Sequence, residues 1–254
     1  MVEIRNLTAG YGEAPVLTGI SLDLPQGAVT VIIGPNGCGK STLLRSLIGL
    51  TPKVTGQILA DGGDTRRLSS AQLARRIAYL PQNKRAPDMT VEQLVLHGRF
   101  PYLSYPRRYR ESDRQIARAA MARLGIEDLA EKDLTRLSGG TQQKCYIAMA
   151  LAQDSPTILM DEPTSFLDIS YQIQLMELAR DLAGQGKAIV MVLHDLSLAL
   201  EYAHRIVLMD RGRIRMVGAP REIYESGLLD EVFSVRSCRY DTPFGEQYCF
   251  LKKE

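Results

Sequence analysis

Polar and apolar residues alternate with period two through VLTGISLDL (16–24), the pattern of a strand with one buried face. VEIRNLTAGY (2–11) reads as the preceding strand, and GEAP (12–15) as a hairpin-like turn. PQG (25–27) closes that run, and AVTVII (28–33) is continuously apolar, as in a strand buried on both faces. From about Ser69 to Leu137 the texture becomes helical. SSAQLARRIA, TVEQLVLHG and SDRQIARAAMARLG each carry apolar residues three and four apart. Thr90 with Gln93 predicts a capping box, and Gly125 predicts a helix C-cap. After Gly140, helix and strand alternate: TQQKCYIAMALAQ, TILMD, SYQIQLMELARDLAG, AIVMVL, DLSLALEYA, HRIVLMD. Such alternation predicts a mostly parallel sheet covered by helices. No internal repeat, low-complexity tract or heptad run interrupts it.

Composition narrows the class. A chain of 254 residues buries a full core, and one domain with a helical lobe is expected. Its 31 Lys and Arg nearly balance 29 Asp and Glu, and no long like-charge run suggests nucleic-acid binding. AIVMVL falls far short of the ~20 apolar residues that span a bilayer, and MVEIRNLTAG lacks the apolar core of a signal peptide. A soluble, intracellular chain is therefore expected. Cys38, Cys145, Cys238 and Cys249 form no C-x-x-C pair and no metal-ligand spacing with the histidines.

The candidate chemistry begins at GPNGCGKST (34–42), directly after the buried strand and ahead of a helix. Gly34, Gly39, Lys40 and Ser41 satisfy the phosphate-loop spacing in its required strand–loop–helix setting. Glycines let successive N–H groups point inward, and the helix N-terminus adds roughly half a positive charge. Asn36, Gly37, Cys38, Gly39, Lys40, Ser41 and Thr42 are thus candidates for holding phosphate, with Lys40 reaching the terminal groups and the Ser41 hydroxyl suited to Mg2+. Cys38 is expected to be a small filler.

TILMDEP (157–163) ends an apolar strand, expected beside the phosphate-loop strand, in two adjacent carboxylates. Asp161 suits a magnesium ligand, and Glu162 suits orienting or deprotonating a water. LSGGT (137–141) opens another helix and offers a second glycine-rich phosphate cradle. His97 and His204 have no such company and are read as surface or packing residues.

These motifs, with HD at 194–195 after AIVMVL, closely resemble the ATP-binding cassette ATPases, in order, over about residues 2 to 220. The resemblance implies an α/β fold: a P-loop NTPase core with a mixed, mostly parallel sheet, an antiparallel N-terminal β subdomain and an inserted α-helical subdomain. It implies an ATPase domain over 1–227, the insertion at about 84–155, and a C-terminal extension, 228–254, packed on the core. Tyr11 is similar to the adenine-stacking aromatic, with Val16 beside it. Gln82 is similar to the glutamine that contacts magnesium and the attacking water. Ser138, Gly139 and Gly140 are similar to the signature that meets the γ-phosphate, Asp168 to the residue that communicates across the dimer, and His194 to the switch histidine. Catalytic roles therefore fall to Glu162, His194, Gln82 and Lys40, nucleotide contacts add Asp168 to these stretches, and magnesium contacts fall to Ser41, Gln82 and Asp161.

In the family the chain resembles, two cassettes pack head to tail around ATP; with one copy of each motif per chain, the resemblance implies an ATP-dependent, head-to-tail homodimer. Thr141 stands where the signature usually has glutamine and Phe166 where small residues are frequent, changes that touch the geometry across the dimer. HGRFPYLSYPRRYRESD (97–113), IAMALAQD (147–154) and LDISYQIQLMEL (167–178) resemble the branch that imports iron-siderophores, haem and cobalamin. That branch implies a peripheral subunit on the cytoplasmic side of the membrane, meeting permease subunits through the helical lobe and an extracytoplasmic substrate-binding protein indirectly. The alternatives are an importer ATPase for another substrate such as a metal ion, a soluble ATPase of the iron-sulfur assembly type, a nucleic-acid machine, which usually has tandem cassettes, and a non-hydrolytic sensor, which Glu162 disfavours.

Overall fold

The computed structural model describes residues 1–82, 86–243 and 245–253. The alternating N-terminal runs form β1 (Val2–Gly10) and β2 (Leu17–Leu24), and the apolar run forms β3 (Ala28–Ile33). Helix α1 (Lys40–Leu47) follows the phosphate loop, then β4 (Lys53–Ala60) and β5 (Gly63–Asp64). β2, β1, β4 and β5 make an antiparallel sheet in that order, with Val2 opposite both Leu24 and Ala60. Asn6, in a left-handed turn at φ 47°, marks the register shift in β1 that lets Leu7 and Ala9 stay buried.

The middle of the chain comprises α2 (Ser70–Arg76), β6 (Ile77–Leu80), α3 (Val91–His97), α4 (Glu111–Arg123) and α5 (Gly139–Ala152). Ser69 and Gln72 cap α2 reciprocally, and Thr90 with Gln93 do the same for α3. α3, α4 and α5 pack on one another as the helical lobe. Inside it Arg99 Nε donates to Asp113 Oδ1 at 3.1 Å, and its Nη1 donates to the Ala152 carbonyl, tying α4 to the end of α5. Burial alone would raise the Asp113 carboxyl, but the Arg110 N–H and the Arg99 guanidinium outweigh it and hold it low. The helical texture read from Ser69 includes one element that is not helical: AYL lies in β6, an edge strand of the parallel sheet. Four residues between two helices carry too little periodicity to separate strand from helix. The insertion boundary expected near residue 84 lies outside the described residues.

The remaining elements are β7 (Thr157–Asp161), α6 (Ile169–Gly184), β8 (Ala188–Val192), α7 (Leu196–Tyr202), β9 (Arg205–Asp210), β10 (Arg213–Gly218), α8 (Pro220–Glu225), α9 (Leu228–Phe233), β11 (Val235–Thr242) and β12 (Gly245–Lys252). Among the described residues the central sheet runs β10-β9-β3-β8-β7-β6, parallel except for β10. β7 was expected to neighbour β3, but β8 lies between them, because the long connection through the lobe returns two strands away. Strand β3 alternates its buried side chains between two cores. Val29, Val31 and Ile33 face α6 and the lobe, while Ile32 faces α1 and the antiparallel sheet. Leu43, Leu44 and Leu47 of α1 are almost wholly buried, each burial contributing about 1.5–3 kcal/mol, so the phosphate loop is fastened to a rigid frame. His204 is a packing residue. Its Nδ1 accepts from the Val29 N–H at 3.0 Å, and burial holds its pKa below the ordinary histidine value.

Candidate functional site

The site gathers at the C-terminal ends of β3, β7 and β8, where open parallel sheets leave a crevice. Gly39 is the N-cap of α1, at φ 104°, and makes no side-chain cap, so the first N–H groups of the helix are free of a capping acceptor from it. A Cβ there would lie 2.6 Å from Leu17 Cδ2, so the close approach of β2 also demands glycine. Lys40 is 6 % exposed, and its Nζ donates to the carbonyls of Gly34 and Pro35 at 2.7 and 3.0 Å, which aims the cation along the loop. Asn36 and Gly37 form the exposed loop tip. Thr42 is buried on α1. Cys38 is buried, and desolvation raises its thiol despite Lys40 nearby, which keeps it an inert filler. Val16 lies beside Gly39, and Tyr11 is half exposed at the end of β1.

Asp161, fully buried at the end of β7, accepts from Ser41 Oγ at 3.0 Å on Oδ1 and from Tyr79 Oη at 3.3 Å on Oδ2. The Ser41 bond crosses above β8, because α1 lies over the sheet. Burial first, and then the neighbouring Glu162 charge, raise the Asp161 carboxyl. Glu162 adopts φ 52°, a left-handed turn that points its side chain out of the strand. Its Oε2 accepts from Gln82 Nε2 at 2.6 Å, and His194 Nε2 lies 2.6 Å from Oε1. Thus Gln82 and His194, from the ends of β6 and β8, converge on the carboxylate at the end of β7.

The family profile for ABC transporters matches residues 17–165, a stretch that contains the phosphate loop, the 137–141 segment and both carboxylates. The chain belongs to the ABC transporter family. It is 42% identical over 252 residues to the petrobactin import ATP-binding protein of Bacillus anthracis, which spans 98% of this chain and 92% of that one. It is 44% identical to the achromobactin transport ATP-binding protein of Dickeya dadantii, covering 92% and 88%. The ferric enterobactin transport ATP-binding protein of Escherichia coli is 42% identical, covering 94% and 89%. Among solved structures, an ABC transporter described as of metal-chelate type, in an inward-facing conformation, superposes with TM-score 0.84 at 29% identity, over 98% of this chain and 96% of that one. A dimeric ATP-binding cassette bound to ADP and Pi superposes with TM-score 0.75 at 29% identity, over 87% and 99%. This ABC chain is accordingly an ATP-binding, ATP-hydrolysing subunit. No helix among the described residues is long and apolar enough to cross a membrane.

In this ABC cassette the 137–141 segment starts α5. Ser138 is its N-cap, accepting from the Thr141 N–H, and its Oγ lies 2.9 Å from Thr141 Oγ1. Thr141, in place of the usual glutamine, therefore completes a local cap. A Cβ on Gly140 would meet the Phe166 carbonyl at 3.0 Å, whereas one on Gly139 would meet nothing within 4 Å. Gly140 is explained by packing inside the chain; Gly139 faces outward. Asp168 caps α6 by accepting from the Tyr171 N–H at 3.0 Å. Phe166, at φ 68° and 79 % exposed, and Ile169, 76 % exposed, flank it with apolar surface.

Sequence reasoning missed three side chains that hold the site. Tyr79, its phenol pushed up to about 12 mainly by burial, stays protonated and donates to Asp161. Arg45 bonds Tyr79 and Tyr11, raising its own pKa, and so joins the Tyr11 end of the site to the Asp161 end. Burial pushes the Tyr11 phenol up, but bonds with Arg45, Thr42 and Thr51 more than offset it. Gln143 of α5 donates to the Pro163 carbonyl at 2.7 Å, bracing the lobe against the turn after Glu162. Period two in AYL does place Tyr79 on the α1 side of β6, away from Ala78 and Leu80, but nothing local says what it meets.

Proposed function

We propose that the chain is the ATP-hydrolysing subunit of an importer of iron chelates of the siderophore type, docked on a separate membrane permease. The observation that carries this reading is the near full-length identity of 42–44% to import ATP-binding proteins for petrobactin, achromobactin and ferric enterobactin, together with the convergence of Gln82 and His194 on Glu162. Relatives that act on cobalamin are 38% identical, and the chain spans 59% of their length, so siderophore-type chelates are the better fit.

ATP sits, in this reading, with adenine on Tyr11 beside Val16 and its phosphates on residues 36–42. Lys40 neutralises terminal phosphate charge. Ser41, Asp161 and Gln82 supply an oxygen-only donor set, and Asp161 is a buried carboxylate whose hydrogen-bond donors among the described residues, Ser41 and Tyr79, are neutral, so a hard dication fits there. Bound Mg2+ supplies charge neutralisation on the phosphates. Glu162 orients the attacking water and takes its proton, while Gln82 and His194 fix both carboxylate oxygens. His194 then stands as a donor to charge developing on the terminal phosphate.

A second copy completes each site. Its Ser138, Gly139 and Gly140 present an α5 N-terminus to the γ-phosphate, and Asp168 lies at the seam between copies. Hydrolysis removes the shared anion and lets the pair open. The lobe carries this motion to the permease through the Arg- and Tyr-rich segment 99–110, in which Phe100 and Tyr105 are exposed. The permease works with an extracytoplasmic binding protein that captures the chelate.

The test is reconstitution with the permease and binding protein from the same source. Uptake of ferric chelate is expected to need Glu162, and deletion of Pro101 to Arg108 is expected to spare basal hydrolysis while abolishing uptake. Failure to co-purify with any permease, with hydrolysis intact, would favour the soluble ATPase instead.

A further inference from the structure

The C-terminal hairpin brings together two cysteines that lie eleven positions apart in the sequence. Cys238 on β11 is directly opposite Cys249 on β12, and desolvation, with the neighbouring Cys238 thiol, raises the Cys249 thiol. Opposed residues of an antiparallel pair have Cα atoms about 4.5–5.5 Å apart, inside the range that a disulfide bridges. The pairing extends from Val235↔Lys252 to Thr242↔Gly245, so strand register holds the two side chains on one face.

That face looks away from the core. Period two sends Tyr248 and Phe250 inward, where Tyr248 is 9 % exposed and packs on Tyr224 at 5.0 Å between ring centroids. Cys249 shares the outer face with Leu251, which is 53 % exposed, and both cysteines are half-buried, within reach of a small reagent. Cys38 and Cys145 are buried in α1's loop and in α5. The hairpin is also fastened to the catalytic end of the sheet. Ser197 Oγ of α7 donates to the Tyr248 carbonyl at 3.2 Å, and α7 begins at its N-cap Asp195, directly after His194.

We propose that Cys238 and Cys249 are a reversible dithiol–disulfide pair, a modification site that staples β11 to β12 when the chain meets a low-molecular-weight disulfide of the glutathione type. One thiolate attacks the oxidant's sulfur and releases one glutathione thiolate, leaving a mixed disulfide. The second cysteine thiolate displaces the remaining glutathione. Two electrons pass from the cysteine sulfurs to the oxidant, two protons leave the thiols, and two molecules of glutathione result. The staple fixes the register of the strand that grips α7. It is independent of the importer reading.

The experiment treats the full chain with glutathione disulfide and maps peptides without reduction. Arg239 lies between the cysteines, so trypsin separates them unless they are bonded. The expected result is a linked 238–249 peptide pair, intact mass lower by two hydrogens, free thiols at Cys38 and Cys145, and full reversal by dithiothreitol. Cys238→Ser is expected to keep one unresolved glutathione on Cys249, and Cys249→Ser one on Cys238. Hairpin amides are expected to exchange about tenfold more slowly in the oxidised chain. Two unresolved adducts on the unsubstituted chain, a bond to Cys38 or Cys145, a chain-to-chain bond, or untouched thiols at 238 and 249 would each overturn the proposal.

Discussion

Helix α1 and helix α5 both start at a glycine-rich turn, but they are held in opposite ways. The first N–H groups of α1 have no side-chain cap; around them Lys40 and Asp161 are buried, Lys40 bonded to loop carbonyls and Asp161 to the half-buried Ser41. α5 is capped by Ser138 and braced from behind by Gln143 on Pro163, with Gly139 facing open space. A helix terminus becomes half of a site in either of two ways: by facing its own chain's catalytic carboxylates, or by being fixed rigidly and turned outward. In the two-copy reading proposed above, the first half does the chemistry and the second recognises the same phosphate from another copy.

The comparison breaks hardest at Glu162. Glu162→Gln is expected to keep ATP binding and lower turnover by about 10²–10⁴, read by phosphate release under saturating ATP. Next is the outward half. Gly139→Val should leave unfolding within about 0.5 kcal/mol of the original chain, because nothing lies within 4 Å of the added Cβ. Its turnover should nevertheless fall by roughly 10², as when a donor to developing charge is lost. Equal turnover in that variant would mean that α5 does not meet the phosphate.

The inner half can be sharpened more finely. Tyr79→Phe removes one neutral donor from a buried carboxylate, a loss of about 1 kcal/mol. Turnover at limiting Mg2+ should drop several-fold, with the deficit shrinking as Mg2+ is raised. The smallest effect concerns stability. Asp161 titrates above its unfolded value, so its favourable contribution is present below the unfolded pKa and is lost as pH rises through the folded one. Asp161→Asn mimics the neutral carboxyl, so it should melt higher than the original chain at neutral pH. That advantage should fade below about pH 4, near the unfolded carboxylate value, while Mg2+-dependent hydrolysis is lost.

Much of this was legible in the chain. The phosphate loop, TILMDEP, the 137–141 turn and His194 could be read because each depends on local residues at fixed spacing after a strand or before a helix. The order of strands could not: that β8 separates β3 from β7 is a matter of long-range pairing, which periodicity does not encode. The same limit hid Arg45 and Tyr79, whose partners lie across α1, β1, β6 and β7. It also hid the C-terminal end, expected only as an extension packed on the core, where nothing local announces α8, α9 or the facing of Cys238 and Cys249.

The claim that most needs testing is that a nucleotide is completed by two copies of the chain. The decisive measurement is mass in solution at saturating ATP for Glu162→Gln alone and for Glu162→Gln with Gly139→Val, with ATP binding titrated in both. A dimer for the first and an ATP-bound monomer for the second is the result expected. A monomer for the first, or an equally tight dimer for the second, would contradict the two-half account.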